Sequence, residues 1–202
     1  MSEDFTGTAD VPPSLLRSFG GLASEPAEAL AKAGPSASGL SGSASADKMS
    51  AVPVKSRSLV LAAALHRQLI AESRAAFPRE CCGLIEGVRR GDTVEAIALH
   101  PTRNLATASD RFEIDPAEHI RLLRALRGTG RDIVGCYHSH PNVKAAPSAR
   151  DRDGAHEKDF IWLIYAEPEP RAFVWTGADF ADIQLTAAEA STRSAATGKS
   201  RG

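Results

Sequence analysis

The sequence has few cysteines, no long apolar run and almost no net charge, and each absence excludes a class of protein. Its three cysteines are an odd number, with Cys81 and Cys82 adjacent, so they do not form a disulfide framework and favour a reducing cytoplasm. The longest apolar run falls far short of the roughly 18 to 20 residues that cross a bilayer. A formal net charge of -1 provides no basic field for nucleic acid or for an anionic membrane. We therefore expect a cytoplasmic protein without either partner.

Composition divides the chain into one globular domain and two polar extensions. Its 202 residues, 43% of them hydrophobic, are enough for one core without disulfides. Residues 1–56 are rich in Ser, Ala, Gly and Pro, and they are predicted to be disordered because they bury too little apolar area to offset their ordering entropy. The acids Glu3 and Asp4 argue against a secretory signal. Residues 57–186 are the predicted domain, and the polar tail 187–202 is predicted to be disordered.

Helix and strand patterns alternate through this domain and predict an α/β fold. Helices are expected over about 62–76, from Asp115-Pro116 onward with Ile120, Leu123 and Leu126 facing inward, and over about 148–157. The predicted strands are 58–61, a hairpin of 83–87 and 94–99, then 112–114, 133–137, 160–165, 171–176 and 183–185.

The strand at 133–137 runs directly into a candidate metal site. Side chains two apart on an extended chain share a face, so His138 and His140 can present both imidazoles to one ion. Asp151 falls in the first turn of the next predicted helix. Two imidazoles and a carboxylate leave a fourth position open, as in a catalytic zinc site. Taken alone, however, Ser148 and Asp151 also fit a helix capping box, and an isolated His-x-His is a weak signal.

The combined pattern is more specific than either part. His138-Ser139-His140-Pro141 is followed by six residues, Ser148, two residues and Asp151. This spacing resembles the JAMM motif of the MPN-plus family of metallopeptidases, and Glu80 before Cys81-Cys82-Gly83 is similar to the family's glutamate before a Cys-Gly pair. The resemblance covers roughly residues 57–186. It implies a mixed β-sheet flanked by helices, similar to the cytidine deaminase-like architecture.

The resemblance also implies a chemistry for each matching residue. One Zn2+ per chain would be held by His138, His140 and Asp151, with Glu80 as the general base and Ser148 as a hydroxyl donor to the oxyanion. The implied enzyme is a zinc metallopeptidase, or isopeptidase, cutting at the carboxy-terminal di-glycine of a ubiquitin-like or sulfur-carrier protein. The short loop 142–147 favours the small prokaryotic type, and a homo-oligomer is left open.

Two alternatives come from other functional classes. One is a non-catalytic MPN scaffold module in a multiprotein complex, which has no need of the complete set of site residues. The other is a DNA-repair-associated relative, which usually has Asn between the histidines, where this chain has Ser139. A zinc assay separates the scaffold from the enzyme, and a nuclease or DNA-binding assay addresses the relative.

Other chemically active side chains have simpler interpretations. The cysteines Cys81, Cys82 and Cys136 and the tryptophans Trp162 and Trp175 are expected in the core, and His66, His100 and His119 at the surface. His156-Glu157 begins like a His-Glu-x-x-His zinc helix, but the fifth position is Phe160, so that motif fails.

Overall fold

The computed structural model describes residues 55–188, and the segments predicted to be disordered, 1–56 and 187–202, lie outside them except at their inner ends. There the prediction is wrong for Ala187 and Ala188, which pair with Leu61 and Ala62. The described elements are, in chain order, β1 (Ser58–Ala62), α1 (Ala63–Ala76), β2 (Cys82–Arg90), β3 (Thr93–Thr102), α2 (Pro116–Leu126), β4 (Asp132–Ser139), α3 (Ala149–Gly154), β5 (Ile161–Ala166), β6 (Glu169–Trp175) and β7 (Phe180–Ala188). Between residues 55 and 188, no helix is both long and apolar enough to span a bilayer.

The strands form a mixed sheet that closes on itself, in the order β1-β3-β2-β4-β5-β6-β7. β1 closes the ring by pairing in parallel with both β3 and β7, and β4 pairs in parallel with β5. The remaining neighbours are antiparallel, including the predicted hairpin of β2 and β3, which turns at Gly91. The mixed sheet was predicted, whereas its closure was not.

Both faces of the sheet are buried, each beneath a different helix. Along β5, Ile161, Leu163 and Tyr165 join a core cluster that includes Leu69 of α1. The alternating residues of β5, from Trp162 to Ala166, join a second cluster that includes Leu122 of α2. Helices therefore flank the sheet, as the sequence predicts, and the period-2 alternation of one strand supplies both cores.

Close packing fixes β2 against β4 and α1. A Cβ on Gly83 would lie 2.4 Å from the Tyr137 ring and 2.4 Å from the His100 carbonyl oxygen, so only glycine fits there. The Tyr137 hydroxyl donates to the Glu72 carboxylate of α1, and Tyr137 itself is fully buried. Gly83 thus makes room for the ring that connects the sheet to α1.

The predicted strand at 112–114 is wrong, because Glu113 bonds to the Asn104 side chain and to the Leu105 N–H and no continuous ladder forms. The segment forms only an isolated bridge between Asn104 and Ile114. The Asn104 amide nitrogen donates to the Arg111 carbonyl, and its oxygen accepts from the Glu113 N–H. These local bonds replace the ladder that a strand would need.

The buried face of α2 also differs from prediction. The fully buried positions of α2 are His119, Leu122 and Leu126, one residue back from the predicted stripe at its first two positions, with Ile120 and Leu123 only half-buried. Predicting His119 at the surface is therefore wrong. Burial lowers the pKa of His119, which favours the neutral imidazole that a core can accept.

α3 is shorter than the predicted span of about 148–157. It ends at Gly154, where the Ala155 N–H bonds back to the Arg152 carbonyl and the chain becomes extended. The three cysteines and both tryptophans are buried, as predicted. His66 and His100 are half-buried rather than exposed.

A buried acid on β2 is held by an arginine and a histidine. Glu86 is 5% exposed and meets His100 Nε2 at 2.8 Å and Arg131 Nη1 at 2.9 Å. Burial alone would raise the pKa of Glu86, but the hydrogen bonds from Arg131 and His100 outweigh it and lower that pKa. A depressed pKa stabilises the fold above the carboxyl's ordinary range, and this stabilisation is lost as pH falls through the folded-state pKa.

We therefore predict that Glu86→Gln lowers the free energy of unfolding at pH 7 by about 1 to 2 kcal/mol, because the amide keeps the shape but not the charge. Urea unfolding of both proteins from pH 7 down to about pH 3 checks this. The gap should shrink as the wild-type carboxyl takes up its proton, and a gap that stays constant over this range contradicts the assignment.

Candidate metal site

The two histidines of the motif lie where β4 ends, between β2 and β5. His138 pairs with Cys82 of β2 and with Ile164 of β5. The His140 N–H donates to the Tyr165 carbonyl at 2.7 Å, which extends the pairing past the strand. His138 is 0% exposed and His140 is 5% exposed. The sheet therefore holds both imidazoles out of water and on the same side of the chain, as the sequence predicts.

Asp151 approaches both imidazoles from α3. The two Nε2 atoms lie 2.9 Å apart, and the Asp151 oxygens lie 3.3 Å from His138 Nε2 and 3.5 Å from His140 Nε2. Ligand atoms held at about 2.0 to 2.1 Å by a tetrahedral ion lie about 3.3 Å apart. The three side chains therefore fit a tetrahedral metal ion at their common centre.

The capping box considered for Ser148 and Asp151 is present in the same helix. The Asp151 N–H donates to Ser148 Oγ at 3.1 Å, and the Ser148 N–H donates to Asp151 Oδ2 at 2.6 Å. The capping and metal-binding interpretations therefore do not compete. The cap fixes the carboxylate in the orientation that brings it to the histidines.

Glu80 lies near the two imidazoles, just before β2. One of its oxygens and the two imidazoles each lie within 4.8 Å of one another, so the three side chains could also hold an ion. The Asp151 oxygens lie only 3.3 and 3.5 Å from the two Nε2 atoms, which is near the separation of ligand atoms around a tetrahedral ion. Glu80 is 7% exposed, and burial raises its pKa to about 7. A carboxyl of this kind exchanges protons near neutral pH.

The surroundings shift the pKa values of the two imidazoles and of Asp151 in different directions. Burial lowers the pKa of His138. Burial would also lower the pKa of His140, but its hydrogen bond to Asp151 outweighs this and raises it. Burial opposes ionisation of Asp151, yet His138 and His140 hold the pKa of its carboxyl well below its usual range. Asp151 is therefore an anion, which is the form that binds a cation.

Ser139, between the two histidines, has a role that the sequence analysis did not identify. Its hydroxyl accepts from the Cys81 N–H at 2.9 Å, and its own N–H donates to the Cys81 carbonyl at 3.1 Å. These bonds fix the residue that directly follows Glu80. Ser139 therefore connects the histidine strand to the segment that carries the acid.

Further contacts support the site, two of them from distant parts of the chain. The Asn104 amide donates to the Glu80 carbonyl at 3.0 Å, and the Phe112 ring stacks on His138. His140 Nδ1 bonds to the Lys144 carbonyl at 3.1 Å. Spacing along the sequence carries no signal for Asn104 or Phe112, because both act through contacts made only in the folded chain.

The site opens into a surface cleft of about 730 Å³. Glu80, His140 and Ser148 line it, whereas His138 and Asp151 lie behind its wall. Its residues are Pro78, Glu80, Ser109, Asp110, His140, Pro141, Asn142, Val143, Lys144, Ala146, Ser148, Ala149 and Arg150. A ligand in the cleft can therefore reach the acid, one imidazole and the hydroxyl together.

The fold and site define a JAB-type domain. The family described as prokaryotic homologs of the JAB domain matches residues 62–176, and the chain belongs to this family. The resemblance identified from the histidine motif is thus confirmed.

The chain is similar to named peptidases. It is 39% identical over 112 residues to the desampylase of Haloferax volcanii, covering 54% of this chain and 78% of that protein. It is 29% identical over 112 residues to the CysO-cysteine peptidase of Mycobacterium tuberculosis, covering 55% and 75%. These relatives confirm the prediction of an enzyme of the peptidase class.

A solved structure supports the same fold. The solution structure of a protein from Desulfitobacterium hafniense aligns with a TM-score of 0.60 and 29% sequence identity. The alignment covers 65% of this chain and 93% of that protein.

We predict that Asp151→Asn weakens zinc binding at least about tenfold, since the amide can still accept the capping hydrogen bond but carries no charge. Equilibrium competition with a chromogenic chelator measures the affinity. Asp153→Asn is the matched control, because Asp153 lies on the same helix and is exposed. Equal zinc affinity in Asp151→Asn and Asp153→Asn would remove Asp151 from the site.

Proposed function

We propose that the protein is a zinc-dependent metallopeptidase that hydrolyses amide or isopeptide bonds. The observation that carries the proposal is the convergence of His138, His140 and Asp151 beside the buried Glu80, at the wall of an open cleft. A scaffold has no need of a buried acid facing a metal-binding cluster. The peptidase relatives support the same conclusion.

His138, His140 and Asp151 would hold the ion, with Glu80 left free as a proton carrier. Zinc bound there would supply a water of pKa about 7 and polarise the scissile carbonyl. Glu80 would accept the proton of the attacking water and pass it to the leaving amine. Its enclosed position beside His140 suits a group that must give up a proton as readily as it takes one.

Ser148 would stabilise the oxyanion that develops on the carbonyl. Its oxygen accepts the Asp151 N–H in the capping box, which leaves its own hydrogen free to point into the cleft that it lines. A fixed donor of this kind contributes about 3 kcal/mol of transition-state stabilisation in other hydrolases. One hydroxyl can therefore cap α3 and serve the reaction.

The proposed substrate is the carboxy-terminal di-glycine of a ubiquitin-like or sulfur-carrier protein, joined to an amine. Similarity to the desampylase and to the CysO-cysteine peptidase supports a substrate of this class. The cleft also offers an apolar contact for a protein partner, because Val143 lines it and is 63% exposed.

We also propose that the fold is related to the cytidine deaminase-like architecture, that each chain binds one zinc ion and that the protein resides in a reducing cytoplasm. Three free, buried cysteines support the reducing compartment. A homo-oligomer stays open.

The test is cleavage of a sulfur-carrier protein that ends in di-glycine and is extended by one amino acid through a peptide bond. Intact-mass analysis should show loss of that residue by the full chain, inhibition by 1,10-phenanthroline and recovery with zinc. A substrate with di-alanine in place of di-glycine is the matched control. Cleavage that survives complete metal removal would contradict the proposal.

In the same assay, Glu80→Gln should bind zinc normally and lose at least about 100-fold in turnover, because the amide cannot accept the proton. Glu167→Gln is the control, since Glu167 is exposed and pairs with Arg74 on the surface. If Glu80→Gln turns over at the wild-type rate, Glu80 is not the base.

A further inference from the structure

The ring of Phe112 covers one face of the His138 imidazole. The two ring centroids lie 4.3 Å apart and the planes are inclined by 22°, which is a stacked arrangement. Trp162 meets His138 edge-on, at 5.9 Å and 88°. Phe112 and Trp162 also contact each other, at 5.9 Å. Two aromatic side chains therefore limit how the imidazole of His138 can rotate.

The two histidines differ in how their second ring nitrogen is satisfied. A metal-binding histidine usually donates its other N–H to a carboxylate or a carbonyl, which fixes the ring orientation. His140 follows this rule through Nδ1 and the Lys144 carbonyl. His138 Nδ1 is buried and has no hydrogen-bond partner among residues 55–188. Apart from the contacts of its Nε2 with Asp151 and His140, the His138 imidazole is therefore oriented by aromatic packing.

The backbone holds Phe112 firmly in this place. The residues on either side of it, Arg111 and Glu113, both bond to the Asn104 amide. Ile114 pairs with Asn104 and is fully buried. The same amide donates to the Glu80 carbonyl, so one side chain sets both the ring and the acid of the site.

We propose that Phe112 is a positioning residue, whose ring fixes the His138 imidazole so that Nε2 faces the metal site. The inference rests on the metal site of the proposed function. Without the ring, the buried imidazole has more freedom to turn about its side-chain bonds, and an ion must then restrict that motion on binding. Loss of the ring is thus expected to weaken metal affinity.

The test compares Phe112→Leu with Phe112→Tyr in the full chain. Leucine keeps an apolar side chain but not a flat ring, whereas tyrosine keeps the ring. The zinc dissociation constant, measured by competition with a chromogenic chelator, should rise about tenfold or more for leucine and stay within about twofold for tyrosine. Visible absorption of the cobalt-substituted protein should change in the leucine variant alone.

Phe180→Leu is the matched control for a general loss of packing. Phe180 belongs to the same aromatic group and packs edge-on to Trp162 and Trp175, at 5.2 and 5.0 Å. Its variant should lose thermal stability to a similar degree and keep wild-type zinc affinity. Phe112→Met replaces Phe112→Leu as the test if the leucine variant does not fold.

The inference is overturned if Phe112→Leu binds zinc as tightly as wild type, or if Phe180→Leu weakens zinc equally. Because affinity is measured without substrate, it separates this inference from the proposed reaction. Ring-dependent zinc binding by a chain that cleaves no sulfur-carrier substrate supports the inference and removes the proposed function. A wild-type chain that binds no zinc removes both.

Discussion

The site depends on the hydrogen-bonded junction between the end of β4 and the start of β2. Ser139 and Cys81 exchange two hydrogen bonds there, one through the serine hydroxyl and one between backbones. Because the strand alternates, fixing Ser139 on one side aims His138 and His140 to the other. The same bonds hold the residue after Glu80. One junction therefore sets the separation between the histidines and the acid.

α3 completes the site through a local device. A capping box consists of only two side chains at a helix start. Here it orients the Asp151 carboxylate toward both imidazoles and leaves Ser148 at the wall of the cleft. The same two residues thus stabilise the helix and supply polar atoms to the site. This explains why the capping interpretation of the sequence is confirmed and why it is compatible with the metal-binding interpretation.

Much of the site could be predicted because its parts are close in sequence. His138, His140 and Asp151 are placed by strand alternation and by one short helix, both of which leave a local pattern. Phe112 and Asn104 could not be predicted, since their roles arise from contacts across the fold. The strand predicted at 112–114 is wrong for the same reason. Phe112 packs against His138, and Glu113 bonds to the Asn104 amide and not to a neighbouring strand. Closure of the sheet by β1 and β7 likewise has no local signal.

The central claim is that His138, His140 and Asp151 share one metal ion while Glu80 stays outside its ligand set. Anomalous diffraction at the zinc edge from crystals of the zinc-loaded full chain tests it directly. We expect one peak about 2.0 to 2.2 Å from both Nε2 atoms and one Asp151 oxygen. A peak bound by Glu80 in place of Asp151, or no peak at this site, would contradict it.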